Sequence, residues 1–153
     1  MSAVSLARKA YKFYCFGKSF FICKRIAQFI KNINRIIYSC DISYQVNIPI
    51  STKLPHQGLG VVMHPKTIIG ENCIIFQHST FGVAHGEGQN NGAPILGNNV
   101  MVGVGATILG LIRIGNNVSI GAHAVVISDI PDNVVVAGIP AKIKKIKNIG
   151  ENE

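Results

Sequence analysis

Five histidines, His56, His64, His78, His85 and His123, are the side chains suited to moving protons near neutral pH. A base of this kind serves reactions in which a hydroxyl must shed its proton as it attacks. Binding a catalytic zinc is the other common use of histidine, and it needs ligands converging from close positions in the chain. His64 and His78 are 14 residues apart and His78 and His85 seven, which does not supply such a set, so no metal is expected. The four cysteines, Cys15, Cys23, Cys40 and Cys73, form no CxxC pair and no Cys/His cluster with zinc spacing. A chain of 153 residues builds a core without staples, so the thiols are expected to be reduced, in a cytoplasmic protein.

The elements that must carry these residues follow from a six-residue step. Ile69, Ile75 and Phe81, then Leu96, Val102, Ile108, Ile114, Ile120 and Val126, are all large and apolar. Four residues beyond all but one of them come Cys73, Ser79, Val100, Ala106, Ile112, Val118, Ala124 and Ile130, small or apolar throughout. Glycine directly follows many of the large residues, at Gly70, Gly82, Gly97, Gly103, Gly115 and Gly121. Six residues with two inward positions describe a short strand and a tight corner, and three such units close one triangular coil. Asn98-Asn99, Asn116-Asn117 and Glu71-Asn72 suit the corners, since asparagine tolerates the conformations that turns demand. Residues 41–141 are therefore expected to form a parallel β-helix. Phe81 to Leu96 spans 15 residues where six would do, and the excess, around 84–94, is an extended loop placed where a rigid scaffold offers a binding site.

Charge separates the rest. The formal net charge is +8, with 48% hydrophobic residues, too apolar for a disordered chain. Residues 1–40 hold eight cations and no acid, whereas residues 41–141 sum to −2 and the basic tail 142–153 to +2. The first segment has helical spacing: Ile22, Ile26, Phe29, Ile33 and Ile36 share one face, and Gly17 divides this helix from a shorter one. That face either packs on its own domain or a neighbouring subunit, or lies on an anionic membrane surface. No apolar run reaches the roughly 20 residues of a membrane-spanning helix, and no secretory signal is visible. Nucleic-acid binding is disfavoured, because the cations share a segment with a strongly apolar helical face and no recognised module accompanies them.

Residues 58–82 (GLGVVMHPKTIIGENCIIFQHSTFG), 94–126 (PILGNNVMVGVGATILGLIRIGNNVSIGAHAVV) and 129–146 (DIPDNVVVAGIPAKIKKI) together resemble the hexapeptide-repeat acyltransferases, within them the serine acetyltransferase-like branch. The resemblance covers more than half the chain. It implies a left-handed β-helix, a homotrimer or a dimer of such trimers, and acetyl-CoA bound in the groove between adjacent β-helices. It makes His64 the general base and Gly103, Val104, Gly105, Gly121 and Ala122 the groove positions for the pantetheine arm, with Lys142 near a CoA phosphate. His78 either lines the acceptor site or faces a subunit boundary, His85 in the extended loop either reaches the acceptor or is solvated, and Met63, beside the base, is expected to face the acceptor. For each glycine the plainer account is a corner, and for Lys142 a solvated tail.

This sequence departs from the serine enzymes at several places. An aspartate that orients the catalytic histidine there reads Asn47 here, and asparagine can hold a tautomer but cannot stabilise an imidazolium by charge. The aspartate that binds serine, just before the catalytic histidine, reads Met63. A second histidine, before the proline ending the loop, reads Ala93, and the long preceding helical domain shrinks to about forty residues. Burying serine's ammonium group without carboxylates would cost several kcal/mol. The resemblance is therefore closer to short relatives that acetylate sugar hydroxyls in capsule, O-antigen or exopolysaccharide synthesis; the alternative is a serine O-acetyltransferase. A zinc-dependent carbonic anhydrase-like β-helix and a non-catalytic assembly subunit are the competing classes. Work on lipid-linked glycans would place such an enzyme at the inner face of the plasma membrane, with residues 1–40 in peripheral contact.

Overall fold

The computed structural model describes residues 3–16, 21–84 and 92–147. Helices α1 (Ala3–Phe16) and α2 (Phe21–Tyr38) precede a three-faced coil of short strands. Face one stacks β1 (Asp41–Ile42), β2 (Val62–Met63), β4 (Thr80–Gly82), β7 (Thr107–Leu109) and β10 (Val125–Val126) in parallel. Face two holds β5 (Ile95–Leu96) and β8 (Arg113–Ile114), continued by single bridges at Ile68 and Ile130. Face three stacks β3 (Ile74–Ile75), β6 (Met101–Val102), β9 (Ser119–Ile120) and β11 (Val134–Ala137), and antiparallel β12 (Lys142–Ile146) ends it. The chain runs from face one to two to three and back, a parallel β-helix as the hexads predict, and left-handed as the resemblance implies.

The register explains why. Through the middle coils Met101 pairs with Ser119, Thr107 with Val125 and Ile95 with Arg113, a step of 18 residues, three hexads per coil. Across the extended loop the step is 27 on all three faces, Ile68 to Ile95, Ile74 to Met101 and Thr80 to Thr107. Nine residues are thus extruded from one corner while the ladder continues undisturbed. Every residue of the six-residue series, from Ile69 to Val126, is buried, and so is every residue of the companion series from Cys73 to Ile130. Ser79 is the polar member, and its hydroxyl donates to the carbonyls of Phe76 (2.7 Å) and Gly103 (3.3 Å), which removes the penalty of burying it.

Corners are held by two devices. Asn72, Asn99, Asn117 and Asn133 take φ between 55° and 59°, the left-handed conformation asparagine tolerates. Beside them the side-chain oxygens of Asn98 and Asn116 each accept an amide N–H from the preceding coil at 2.8 Å, from Glu71 and Asn98 respectively. Glycine is required for a different reason: a Cβ on Gly103 would sit 2.6 Å from the Ala122 nitrogen. Only a residue without a side chain lets the two coils approach there.

The helices form a hairpin over the first coil. Ala3, Val4 and Ala7 of α1 join the core of the coil, and Asn34 of α2 donates from its amide to the Ala3 carbonyl at 3.2 Å. Gly17 lies outside the described residues, but α1 ends at Phe16 and α2 begins at Phe21, as its position predicts. The expected packing of α2 is corrected in part. Its contact face is Ala27 and Asn34, small enough for close approach to α1, while Ile22, Ile26, Phe29 and Ile36 are exposed and Ile33 is half-buried. The stripe of large residues does not pack on its own domain.

Candidate active site

His64 directly follows β2, at the corner where the chain passes from face one to face two. Its amide donates to the Phe81 carbonyl of the next coil (2.9 Å) and its carbonyl accepts from Thr67 (2.9 Å), so the backbone is fixed on both sides. The imidazole is half-buried, and the Lys66 amide donates to its Nδ1 at 3.2 Å. A neutral imidazole has one protonated nitrogen and one acceptor, so this contact puts the proton on Nε2. One coil later the same corner emits the extended loop, between Gly82 of β4 and Ile95 of β5. His85 lies in that loop, outside the described residues.

Asn47 is exposed in the first coil, and together with Gln45 and Pro65–Ile69 it walls a shallow hollow of about 280 Å³ beside the His64 corner. It makes no hydrogen bond to His64; the ring's partner is the Lys66 backbone instead. Met63, expected to face an acceptor, requires correction. The two-residue alternation of β2 turns Val62 outward and Met63 into the core, where it is 2% exposed. Ala93, where a second histidine would stand, is buried as well.

His78 occupies a different corner, between faces three and one, after β3. It takes φ 60°, and its ring lies over Gly60, where a Cβ would come within 2.2 Å of Nδ1. His123 repeats the arrangement over Gly105. Within one chain His78 is therefore a corner residue stacked on glycine, away from His64. The groove positions share that corner: Gly103, Val104 and Gly105 follow β6, Gly121 and Ala122 follow β9, and Lys142 at the start of β12 pairs with Ala137 of β11. They form one vertical strip of small residues with an exposed lysine at its end. His64 and the strip thus stand on two different corners of the triangle.

The electrostatic setting is cationic or neutral. Among the described residues the carboxylates are Asp41, paired with Lys31 (2.7 Å) and Arg35 (3.8 Å); Glu71, which accepts from Ser51; and Asp129 and Asp132, which accept the amides of Arg113 (2.8 Å) and Asn116 (2.7 Å). No hydrogen bond or ion pair joins any of them to His64. No three His, Cys, Asp or Glu side chains among the described residues gather as metal ligands. Two features escaped the sequence reading. The Lys66 amide carries no side-chain signal, and Arg8, whose guanidinium donates to the carbonyls of Ile48, Pro49 and Thr52, was counted there only as charge.

No protein-family model matches the chain. In sequence it is 38% identical over 120 residues to a serine acetyltransferase of Synechococcus elongatus, covering 77% of this chain and 48% of that one. It is 39% identical over 119 residues to a serine acetyltransferase of Helicobacter pylori, covering 76% of this chain and 67% of that one. Among solved structures, Neisseria gonorrhoeae serine acetyltransferase superposes with a TM-score of 0.84 at 33% identity, over 95% of this chain and 54% of that one. Brucella abortus serine acetyltransferase in complex with coenzyme A gives 0.85 at 29% identity, over 95% and 56%. The chain spans about half the length of most of these proteins.

Proposed function

The chain belongs to the serine acetyltransferase family of hexapeptide-repeat acyltransferases, and from that premise we propose that it transfers the acetyl group of acetyl-CoA to an acceptor hydroxyl, with His64 as general base. The hydroxyl oxygen attacks the thioester carbonyl while the imidazole takes the hydroxyl proton and backbone amides meet the tetrahedral oxyanion; collapse then breaks the C–S bond, and the imidazolium returns the proton to the departing CoA sulfur. For Nε2 to take that proton, Nδ1 must carry the other one, so the ring has to exchange tautomers and give up the Lys66 amide. Asn47 is the candidate to accept from Nδ1–H once that has happened. Gly103, Val104, Gly105, Gly121 and Ala122 would receive the pantetheine arm along their strip, and Lys142 a CoA phosphate.

The observation that carries this reading is the separation of the two strips. A base on one corner and a small-residue groove on another cannot meet within one triangular prism. They meet when the first corner of one copy abuts the second corner of its neighbour, which is what a homotrimer of β-helices, alone or paired into a dimer of trimers, provides.

The acceptor has two readings. L-serine is favoured by the relatives in Synechococcus elongatus and Helicobacter pylori, which are named for that activity. A sugar hydroxyl, as in polysaccharide synthesis, is favoured by one specific observation: among the described residues no carboxylate is bonded to His64, and Met63 and Ala93 are buried and apolar. Acetyl transfer measured side by side with L-serine and with a panel of nucleotide sugars separates them. Turnover of serine alone excludes the sugar reading, and turnover of a sugar with serine inert excludes the other. We also infer that the bare stripe of α2, in a segment with eight cations and no acid, makes peripheral contact with an anionic bilayer.

A further inference from the structure

A second, larger hollow of about 540 Å³ lies between α1 and residues 47–50. Arg8, Lys9 and Lys12 contribute three cations to its wall, Ser5 and Asn47 add polar groups, and no carboxylate lines it. Arg8 is held in place by backbone alone: Nε donates to the Ile48 carbonyl at 3.1 Å, and one terminal nitrogen to those of Pro49 (2.5 Å) and Thr52 (3.1 Å). Its charge is fixed with no acid among the described residues to neutralise it. Lys12 stands one helical turn from Arg8 on the same side of α1 and is exposed. Asn47 lines both this hollow and the smaller one formed with Pro65–Ile69, so the two lie on either side of a single side chain, the smaller one next in sequence to His64.

We propose that this hollow is an anion subsite for the acceptor and that it takes a diphosphate whose attached sugar presents its hydroxyl toward His64. This deepens the sugar reading of the acceptor and rests on it. Three cations around a space of this size match the charge and bulk of a diphosphate and exceed what a single amino-acid carboxylate requires. Phosphate oxygens would meet lysine ammonium groups as point charges, with Arg8 setting the local field. The diphosphate can belong to a soluble nucleotide sugar or to a lipid-linked sugar; the chemistry of the subsite is the same.

Titration of the full chain with inorganic pyrophosphate, followed calorimetrically, tests the subsite without catalysis. Binding is expected, weakened about tenfold or more in Lys12→Ala and further in the Lys9→Ala, Lys12→Ala pair, and largely restored in Lys12→Arg. The same variants should raise the KM for a diphosphate-bearing acceptor by a similar factor while the KM for acetyl-CoA stays put. Separate assays with a nucleotide sugar in solution and with a prenyl-diphosphate sugar in neutral phosphatidylcholine vesicles identify the source, and turnover of either supports the proposal. Absence of pyrophosphate binding overturns it, as does binding that responds to Lys142→Ala and not to the α1 lysines. Pyrophosphate held by those lysines in a chain that releases no CoA would refute acetyl transfer and leave the subsite standing.

Discussion

Gly103 shows how one residue can carry two accounts, and the geometry separates them. Its place in the groove strip suggests room for a pantetheine arm, yet the neighbouring coil already demands glycine, with Ala122 nitrogen and Gly121 carbonyl carbon 2.6 and 2.7 Å from any Cβ. Gly103→Ala should therefore destabilise the fold by about 1–3 kcal/mol through overpacking, read as a lower Tm with no ligand present. An unchanged Tm would return the glycine to the cofactor alone. Cys40 supplies a second prediction at this scale. Burial pushes its thiol up to about 11, so the folded chain keeps the proton after the unfolded chain has lost it. Stability is full below the ordinary thiol value of 9.0 and declines as pH rises toward about 11. Thermal unfolding followed between pH 8 and 11 should show this loss, and Cys40→Ala should flatten it.

At the scale of elements, the β-helix was legible because its signal is redundant. Nine large apolar residues in phase fix the inward column, and even the nine-residue extrusion could be read from a spacing that broke and resumed. What the repeat could not convey was parity at its own edge. Met63 occupies an inward position of the first full hexad, and matching it to an acceptor-binding residue overlooked that its side chain belongs to the core. The helices were legible as helices but not as surfaces, because α2 carries two usable faces and the hairpin chooses the one with Ala27. Its large stripe remains bare, with Phe29 65% and Ile36 81% exposed. The double substitution Phe29→Glu, Ile36→Glu should leave the melting profile nearly unchanged and abolish sedimentation with phosphatidylserine-rich vesicles. Wild-type protein that fails to sediment would remove the membrane from the account. Truncating residues 1–40 would be a poorer test, since it tears Ala3, Val4 and Ala7 from the core.

For the molecule as a whole, the net charge of +8 divides into a near-neutral scaffold and cationic ends, so the excess bears on what the ends attract more than on what the β-helix does. The scaffold itself places His64 on one vertical edge and the small-residue strip on another, so the proposed reaction calls for a second copy to bring them together. Hexads in the sequence announce each strip but not their separation, because which corner a residue occupies depends on counting three units per coil through an insertion. Histidine as base and the tautomer it must reach are the centre of this account. The most direct measurement is thiol release from acetyl-CoA with and without an acceptor hydroxyl, by wild-type protein and His64→Ala, alongside acetyl-CoA binding by each. The account predicts acceptor-dependent release that falls about 10²–10⁴-fold in His64→Ala while acetyl-CoA affinity is retained. Acceptor-dependent release that survives the substitution, or wild-type protein that releases no thiol with either L-serine or a nucleotide sugar, would contradict it.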